Sequence, residues 1–437
     1  MKKSLFYVAL GALVLTSCAQ DEVLDVQKDA VQFSVVADKA SRGNIYESDL
    51  VDLQKDAANK GGFNVTAFNS IGGTFMEGVD VEWNGTIWNY GNTKFWPTTE
   101  AIDFYSYAPI ALENAATIDF NKDSRTIAYE VPTTCADQID ILYAVNNNLT
   151  KETGNVSVNF RHALAQVVFQ AKNVKSDLNI EVTNVRIVNV KNSGTFTLPT
   201  ADTAPYLDET EDTDAAGVDG ASRGTWADIT TTAYKSYSAA LKDDVISIPT
   251  TGAVKVLSAV ECPLLVMPQG IVTPVGVDTD TDGKVDYLPI TAGQTYFAVK
   301  CRITQSENGA ETLLWPSQDV LVDQNGVIQT KGYAEVFIPA TVPTANAWKQ
   351  GYKYVYTFVF GEGAGFIGPN GSLPETGNPS TGEQDDVTPP TDVDDPGMPV
   401  LVPVTFTVSV DQFQDVQEEE VDMNTGNAVN GTTPVQP

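Results

Sequence analysis

The sequence predicts an all-β protein built from β-sandwich domains. Three segments alternate apolar and polar residues, which is the pattern of strands with one buried face: Val31–Val35, Ile180–Val190 and Tyr352–Phe360. In Ile180–Val190 the alternation changes phase part-way along. Clusters of turn-forming residues separate such segments, for example Asn192–Gly194 and Pro268–Gly270. Short strands interrupted by turns are typical of β-sandwiches.

The first eighteen residues predict an export signal. Lys2 and Lys3 precede the apolar run Leu5–Leu15, which is too short to span a bilayer but fits the core of a signal peptide. The run ends in Leu15-Thr16-Ser17-Cys18, which has the form of a lipobox and predicts lipidation of Cys18. Two acyl chains hold a protein stably at a membrane. An ordinary signal peptide with an incidental cysteine is the alternative interpretation.

Size and charge limit the function classes. The chain has 437 residues, enough for two or three domains with real cores. It carries 57 acidic and 26 basic residues, a net charge of −31. Nucleic acid is therefore excluded as a partner, because phosphate binding depends on clustered Lys and Arg.

The cysteines predict no metal finger. Apart from Cys18 there are three, Cys135, Cys262 and Cys301, which permit at most one disulfide. Cys262 and Cys301 lie in apolar, strand-like segments, so the sequence favours buried free thiols at both positions.

Three further segments depart from the strand pattern. Asp49–Lys60 has apolar residues at helical spacing and predicts a helix. A domain boundary is placed near Phe160. Thr200–Ser222 is rich in Asp, Thr, Gly and Ala and predicts a long polar loop.

The C-terminal region predicts a strand on a flexible tether. Gly361–Met398 is crowded with Gly, Pro, Asp and Thr and is too polar to order itself. In the segment that follows, alternate apolar residues share one face of an extended strand. These are Val400, Val402, Val404, Phe406, Val408 and Val410. Two interpretations stay open: the strand pairs within its own domain, or it enters another subunit.

The residues predict no enzyme. His162 is the one histidine, and beside apolar residues it is interpreted as a hydrogen-bonded structural group. The sequence contains no P-loop, no nucleophile elbow and no dinucleotide-binding glycine pattern.

One acidic segment has the spacing of a calcium loop. Asp278, Asp280, Asp282 and Asp286 surround Gly283 in the pattern of the first half of an EF-hand loop. Position twelve is a proline instead of the bidentate glutamate, so the pattern is incomplete. The preferred interpretation is an acidic hairpin tip between Ile271–Val277 and Tyr287–Ile290. The sequence predicts no cofactor other than a possible calcium ion at this segment.

An aromatic-rich stretch suggests an alternative function. Surface glycan-binding lipoproteins use exposed aromatic side chains, and this chain concentrates Trp83, Trp88, Tyr90, Phe95 and Trp96. Because these residues are spread over predicted strands, we expect them to build the core of the first domain.

A set of short motifs follows the lipobox along the chain: Ala40–Gly43, Lys94–Pro97, Ile102–Pro109, Gln138–Ala144, Phe160–Ala165, Leu264–Gln269 and Trp348–Tyr356. This ordered set resembles the fimbrillins, the subunits of type V pili in Bacteroides and Porphyromonas. The resemblance implies two transthyretin-like β-sandwich domains in tandem. It divides the chain into a signal peptide (1–17), a lipidated propeptide with the first strand (18–42), an N-terminal domain (43–160), a C-terminal domain (161–360), a flexible linker (361–399) and a donor-type strand with a polar tail (400–437).

The resemblance also implies maturation by proteolysis. In fimbrillins a protease cuts after an arginine that follows the first strand, and a strand of the next subunit fills the groove left behind. On this sequence the cut bond is Arg42–Gly43, the removed strand is Ala30–Val36 and the donor is Val400–Val410. Ala221–Gly224 repeats the tetrapeptide Ala40–Gly43, so Arg223 is a second candidate for the cut. The preferred interpretation of Arg223 is a solvated charge in an exposed loop.

The implied function is that of a cell-surface pilus subunit which supports adhesion. The expected partners are other pilus subunits, a host or bacterial surface ligand and, before processing, the outer membrane through the lipid. Stalk, tip and anchor positions stay open.

Overall fold

The computed structural model describes most of the chain between residues 61 and 361. The described residues are 30–35, 50, 52–55, 61–203, 223–227, 234–279, 281, 285–291, 293–317, 321–322, 328–329, 332–342, 346–361, 363, 365–367, 400, 405–412, 418–422 and 427–428. At 321–322, 328–329 and beyond residue 400 only the backbone strands are considered.

The regular secondary structure of these residues is almost entirely β-strand. The strands are β1 (Phe33–Val35), β2 (Phe63–Asn69), β3 (Thr74–Trp83), β4 (Trp88–Asn89), β5 (Ile102–Ala108), β6 (Ala116–Phe120), β7 (Arg125–Glu130), β8 (Leu142–Leu149), β9 (Val156–Val158), β10 (Arg161–His162), β11 (Ala165–Asn173), β12 (Leu178–Val190), β13 (Ser193–Thr197), β14 (Thr225–Ala227), β15 (Lys235–Ser238), β16 (Ile246–Ile248), β17 (Lys255–Val256), β18 (Leu264–Val266), β19 (Gln269–Gly270), β20 (Tyr296–Glu307), β21 (Ala310–Trp315), β22 (Leu321–Val322), β23 (Ile328–Gln329), β24 (Ala334–Pro339), β25 (Ala347–Trp348), β26 (Tyr352–Phe360), β27 (Phe366–Ile367), β28 (Thr405–Gln412), β29 (Glu418–Asp422) and β30 (Asn427–Ala428). Short 3-10 helices lie at Ile110–Asn114, Cys135–Asp137 and Lys151–Thr153.

The N-terminal part is organised around one six-stranded sheet in the order β10-β8-β5-β2-β3-β4. The separate two-stranded sheet β1-β9 lies beside it. We call the buried apolar cluster of this part the first core. Its largest side chains are Phe33, Phe63, Trp88, Tyr90, Trp96, Phe104 and Phe160.

The C-terminal part is a sandwich of two seven-stranded sheets. One has the path β17-β11-β26-β28-β29-β30, with β18 also paired to β11. The other has the path β15-β12-β20-β24-β27, with β16 also paired to β12 and β21 to β20. Aromatic rings from the two sheets meet between them: the ring centroid of Phe297 on β20 lies 4.5 Å from that of Tyr356 on β26 and 5.6 Å from that of Phe169 on β11. Facing sheets with interlocked side chains form the core of a β-sandwich.

A four-stranded sheet links the two parts. Its order is β14-β13-β7-β6, so it joins strands from either side of the expected boundary at Phe160. Ile127 of β7 and Phe196 of β13 belong to the same buried cluster as the sandwich interior. The all-β fold is thus established, and the division into tandem domains stays a prediction.

The structure explains the shifted alternation in Ile180–Val190. Val182 and Val185 are both fully buried although they are three positions apart, an odd spacing that would place them on opposite faces of a regular strand. The register of β12 against β20 shifts between Val182 and Asn184, which marks a β-bulge. An extra residue in one strand moves the following side chains to the other phase.

Two local predictions were wrong. Both concern segments predicted as turns. Ser193 and Gly194 begin β13, and Gln269–Gly270 forms β19, because each pairs with another strand, β7 and β25 respectively.

Within the predicted helix Asp49–Lys60, the described helical residues are Leu50, Asp52 and Leu53. No helix among the described residues is long and apolar enough to cross a membrane.

Candidate functional site: the first strand and its groove

The first strand is fixed in the N-terminal part by a small set of backbone contacts. Strand β1 pairs in parallel with β9 through three residue pairs, Phe33 with Val156 to Val35 with Val158. The Val156 N–H donates to the Gln32 carbonyl at 2.8 Å. On the other side, the Val31 N–H donates to the Lys94 carbonyl at 2.9 Å. The strand therefore lies between two separate segments of the chain.

Side chains of the first strand alternate between core and solvent, as its pattern predicts. Val31 and Phe33 are buried, whereas Gln32 is exposed and Ser34 is half-buried. The hydroxyls of Ser34 and Ser157 lie 3.4 Å apart on the outer face. Val35 is partly buried and packs against the first core.

Phe33 occupies an aromatic pocket. Its ring makes edge contacts with Phe63, Tyr90 and Phe104 at centroid distances of 5.8, 5.6 and 5.9 Å. Edge-to-face pairs at this separation add to the free energy gained by burying the ring. The pocket therefore selects a planar aromatic side chain by shape.

Tyr90 joins the pocket to the backbone of the strand. Its hydroxyl donates to the Val31 carbonyl at 2.8 Å and accepts from the Lys94 N–H at 3.2 Å. Burial raises the pKa of Tyr90, while the bond from the Lys94 amide acts in the opposite direction. The hydroxyl therefore stays protonated at neutral pH and keeps its proton for the Val31 carbonyl.

The aromatic stretch belongs largely to the core, as expected. Trp88, Tyr90 and Trp96 are buried, and Trp83 is partly buried with its ring 5.4 Å from that of Trp88. Phe95 alone of the five is largely exposed, at 47%. The described structure therefore offers no aromatic platform here for a sugar ring.

The C-terminal strand pairs within its own chain. Eight residue pairs join β28 to β26 in an antiparallel ladder, including Phe406 with Phe358 and Val408 with Tyr356. Val410, in the same strand, faces Tyr354 in the register. Val400 is buried and its N–H donates to the Gly365 carbonyl at 2.7 Å. Val402 and Val404 lie outside the described residues.

Of the two candidate cleavage positions, only Arg223–Gly224 lies among the described residues. Arg42 and Gly43 lie outside the described residues, as does Cys18. Arg223 is half-buried, and the Gly224 N–H donates to the Tyr143 hydroxyl at 3.3 Å. A Cβ at Gly224 would clash with the ring of Phe196. A protease therefore has poor access to the Arg223–Gly224 bond.

The two ends of the acidic segment come together, but the described residues on either side of it, 271–276 and 288–290, do not form strands. Val277 and Tyr287 form an antiparallel bridge, and the carboxylate of Asp286 accepts from the Thr279 N–H at 2.8 Å. Asp278 accepts from the Thr281 N–H at 2.7 Å. Asp280 and Asp282 lie outside the described residues, so calcium binding stays a prediction. Within the described ranges, no three His, Cys, Asp or Glu side chains form a metal-binding group.

The cysteine prediction was half correct. Cys301 is a buried free thiol, but Cys262 forms a disulfide with Cys135. Next to it, the Gln138 side chain donates to the Leu265 carbonyl at 3.0 Å and accepts from the Leu265 N–H at 2.7 Å. The sequence allowed one disulfide, but a separation of 127 residues gave no signal for which pair forms it.

His162 has the structural role that the sequence suggested. It is buried in β10, and its Nδ1 lies 2.6 Å from a carboxylate oxygen of Asp140. His162 lies in β10, the edge strand of the six-stranded sheet that pairs with β8.

The sequence model described as fimbrillin-like matches residues 54–373, which is more than half of the chain. The chain belongs to the fimbrillin-like family. The match includes the six-stranded sheet and most of the sandwich. Comparison with curated proteins gives no match for this fimbrillin-like protein.

Three solved structures are among those to which the chain shows some similarity. A fimbrial protein from Bacteroides vulgatus is 18% identical, with 76% of this chain and 94% of that chain covered and a TM-score of 0.45. The fimbrial anchor protein Mfa2 from Porphyromonas gingivalis is 10% identical, with 76% and 90% covered and a TM-score of 0.28. A fimbrilin from the same species is 10% identical, with 86% and 98% covered and a TM-score of 0.29. Family membership therefore rests on the matched residues 54–373.

Family membership defines the class of function. This fimbrillin-like protein is a fimbrial structural protein of the cell surface, a pilus or adhesin subunit that associates with other subunits, and not an enzyme.

Proposed function

We propose that this protein is a pilus subunit that is exported as a lipoprotein on Cys18, cut at Arg42–Gly43 and polymerised by strand exchange to support adhesion. The main observation in support of this proposal is that the first strand fills an apolar groove with the side chains of Val31 and Phe33. In the polymer, the segment Val400–Val410 of another subunit would occupy that groove.

The position of the cut explains how the first strand leaves. Strand β1 ends at Val35, and Arg42 follows it before Leu50, the next described residue. Cleavage after Arg42 therefore removes the covalent link between β1 and the rest of the protein. Only noncovalent contacts then hold the strand in the groove.

An emptied groove is unstable in water. The walls that contact Phe33 are aromatic, and the main-chain groups of Lys94 and Val156 lose their partners. Exposed apolar surface and an unpaired strand edge together favour the addition of another strand.

The C-terminal strand can supply the replacement. Residues 368–399 lie between Ile367 and Val400, and an extended chain of that length spans on the order of 100 Å. The six alternate apolar side chains of Val400–Val410 would each contribute about 1.5–3 kcal/mol on full burial, as an upper bound. Donation requires β28 to leave its pairing with β26.

Arginine variants test the role of cleavage. Purified precursor is treated with a protease that cuts only after arginine, because trypsin would also cut after Lys39, between the first strand and Arg42. The product is analysed for ladders that resist mild heating. Arg42→Ala should block the ladders and leave the circular dichroism spectrum unchanged. Arg223→Ala is the matched control, because that arginine precedes a packed glycine, and it should polymerise like wild type. Ladders from cleaved Arg42→Ala would contradict the proposed site.

Variants of the C-terminal strand test donation. Val404→Asp with Phe406→Asp should prevent donation, because burying unpaired carboxylates costs several kcal/mol. The variant should still accept a wild-type strand and terminate chains. If cleaved wild type stays monomeric at high concentration, with 400–410 protected from hydrogen exchange, the polymerisation mechanism is wrong.

Lipid attachment has an independent test. Cys18→Ser should abolish labelling by fatty acid and release the precursor from the membrane fraction. Unchanged labelling and fractionation would contradict lipidation at this residue.

A further inference from the structure

The first and the C-terminal strands share a sequence pattern that occurs nowhere else in the chain. Of the 18 phenylalanines, only Phe33 and Phe406 have valine both two residues before and two residues after. The segments are Val31-Gln-Phe-Ser-Val35 and Val404-Thr-Phe-Thr-Val408. The intervening positions are polar in both segments, and the fourth is a hydroxyl residue.

The structure shows what the groove requires at these positions. The pocket of Phe33 is lined by three aromatic rings at 5.6–5.9 Å, so it fits a ring of that size. Cores tolerate exchanges that conserve volume and shape far better than those that do not. A phenylalanine flanked by valines at the same spacing is the closest replacement that the sequence contains.

We infer that the groove accepts the C-terminal strand of a second copy of this chain, in one register that places Phe406 where Phe33 lies. This inference rests on the proposed strand exchange and specifies its partner and alignment. Val404 then replaces Val31 and Val408 replaces Val35. The subunit is thereby able to form a homopolymer.

The backbone contacts define the direction of the incoming strand. Strand β1 runs parallel to β9, with Gln32 accepting from the Val156 N–H and Val31 bonded to Lys94 and Tyr90. A strand in the same direction offers its N–H and C=O groups at the same places. The apolar pattern is symmetric about Phe406, so these backbone bonds, and not the side chains, distinguish the parallel from the reversed orientation.

The outer face gives a position for measuring the register. Ser34 and Ser157 are register partners with hydroxyls 3.4 Å apart, and Ser157 is exposed. In the inferred alignment Thr407 replaces Ser34. Thr407 of one subunit therefore lies opposite Ser157 of the next.

Cysteine cross-linking tests this alignment in the full chain. Ser157→Cys with Thr407→Cys should give a ladder of covalent oligomers after cleavage under mild oxidation, and the ladder should collapse in reductant. A disulfide needs Cα atoms within about 7 Å, so neighbouring positions on the same face are discriminating controls. Ser157→Cys with Thr405→Cys, and Ser157→Cys with Ser409→Cys, should leave the polymer without these cross-links. Each single variant alone should give none, and a mixture of the two should give covalent dimers only.

The outcomes separate the register, the partner and the mechanism. Cross-linking through residue 405 or 409 in preference to 407, or polymers with no cross-link at 407, would overturn the register and leave strand exchange standing. Polymers that form only after another protein is added would overturn the homopolymer. No polymer from cleaved wild type under any condition would overturn the proposed function itself.

Discussion

Strands β1 and β28 are held in the molecule in different ways. Strand β1 has three residue pairs with β9, but it places Phe33 in an aromatic pocket at 5% exposure. Strand β28 has eight residue pairs with β26 and a further ladder with β29. Ladder hydrogen bonds form with most sequences, whereas a pocket selects a side chain. In the proposed exchange, the groove of β1 would therefore select the entering strand, and β28 would move its ladder pairing to another open sheet edge.

The largest effect should come from removing the ring of Phe33. Phe33→Ala should lower the free energy of unfolding of the precursor by about 3–5 kcal/mol, because it leaves a cavity in the first core. Phe95→Ala is the control on the exposed side and should change it by less than about 0.5 kcal/mol. Denaturant unfolding measures both. In the proposed mechanism the polymer would lack residue 33, so the stability of the assembled polymer should be the same for Phe33→Ala and wild type.

A disulfide joins the part of the molecule that contains β1 to the part that contains β28. Cys135 precedes β8 of the six-stranded sheet, and Cys262 precedes β18, which pairs with β11 in the sheet of β28. Cys135→Ala with Cys262→Ala should lower the free energy of unfolding by about 2–5 kcal/mol, since the bond closes a long loop. Reductant should lower the melting temperature of wild type and leave that of the variant unchanged. An equal response in both would assign the effect to something other than this bond.

A smaller effect should follow from Tyr90→Phe. The variant keeps the ring beside Phe33 but removes the hydroxyl that bridges the Val31 carbonyl and the Lys94 N–H. We expect a loss of about 1–2 kcal/mol, because the buried groups lose hydrogen-bond partners. Hydrogen exchange should accelerate in 31–35 and stay unchanged in 352–360. Equal acceleration in both segments would contradict a local role for this hydroxyl.

The smallest expected effect concerns calcium in the C-terminal part. If Asp278, Asp280, Asp282 and Asp286 bind the ion, calcium at its own dissociation constant should stabilise the fold by about 0.4 kcal/mol, and more at higher concentration. Asp280→Ala with Asp282→Ala should abolish the rise in melting temperature. The same response in wild type and variant would leave the hairpin tip as a turn only. In either case, calcium should not change the yield of the cross-link between residues 157 and 407.

The sequence by itself determined the strands that carry strict alternation, because side-chain direction in an extended chain follows from local geometry. Val31 and Phe33 are buried around an exposed Gln32 as predicted, and the phase change in Ile180–Val190 already contained the bulge at Val182. The motifs that resemble fimbrillins also indicated the family, since they depend on the order of residues alone.

Tertiary structure decided the features that depend on a distant partner. Cys135 pairs with Cys262 because folding brings their segments together across 127 residues. Ser193 and Gly194 form a strand because β7 lies beside them, although their composition favours a turn. The pairing of β28 with β26 likewise required a choice among all the sheet edges that folding creates. Local sequence specifies which way a side chain points along an extended strand, but only the assembled sheets determine which neighbour it meets.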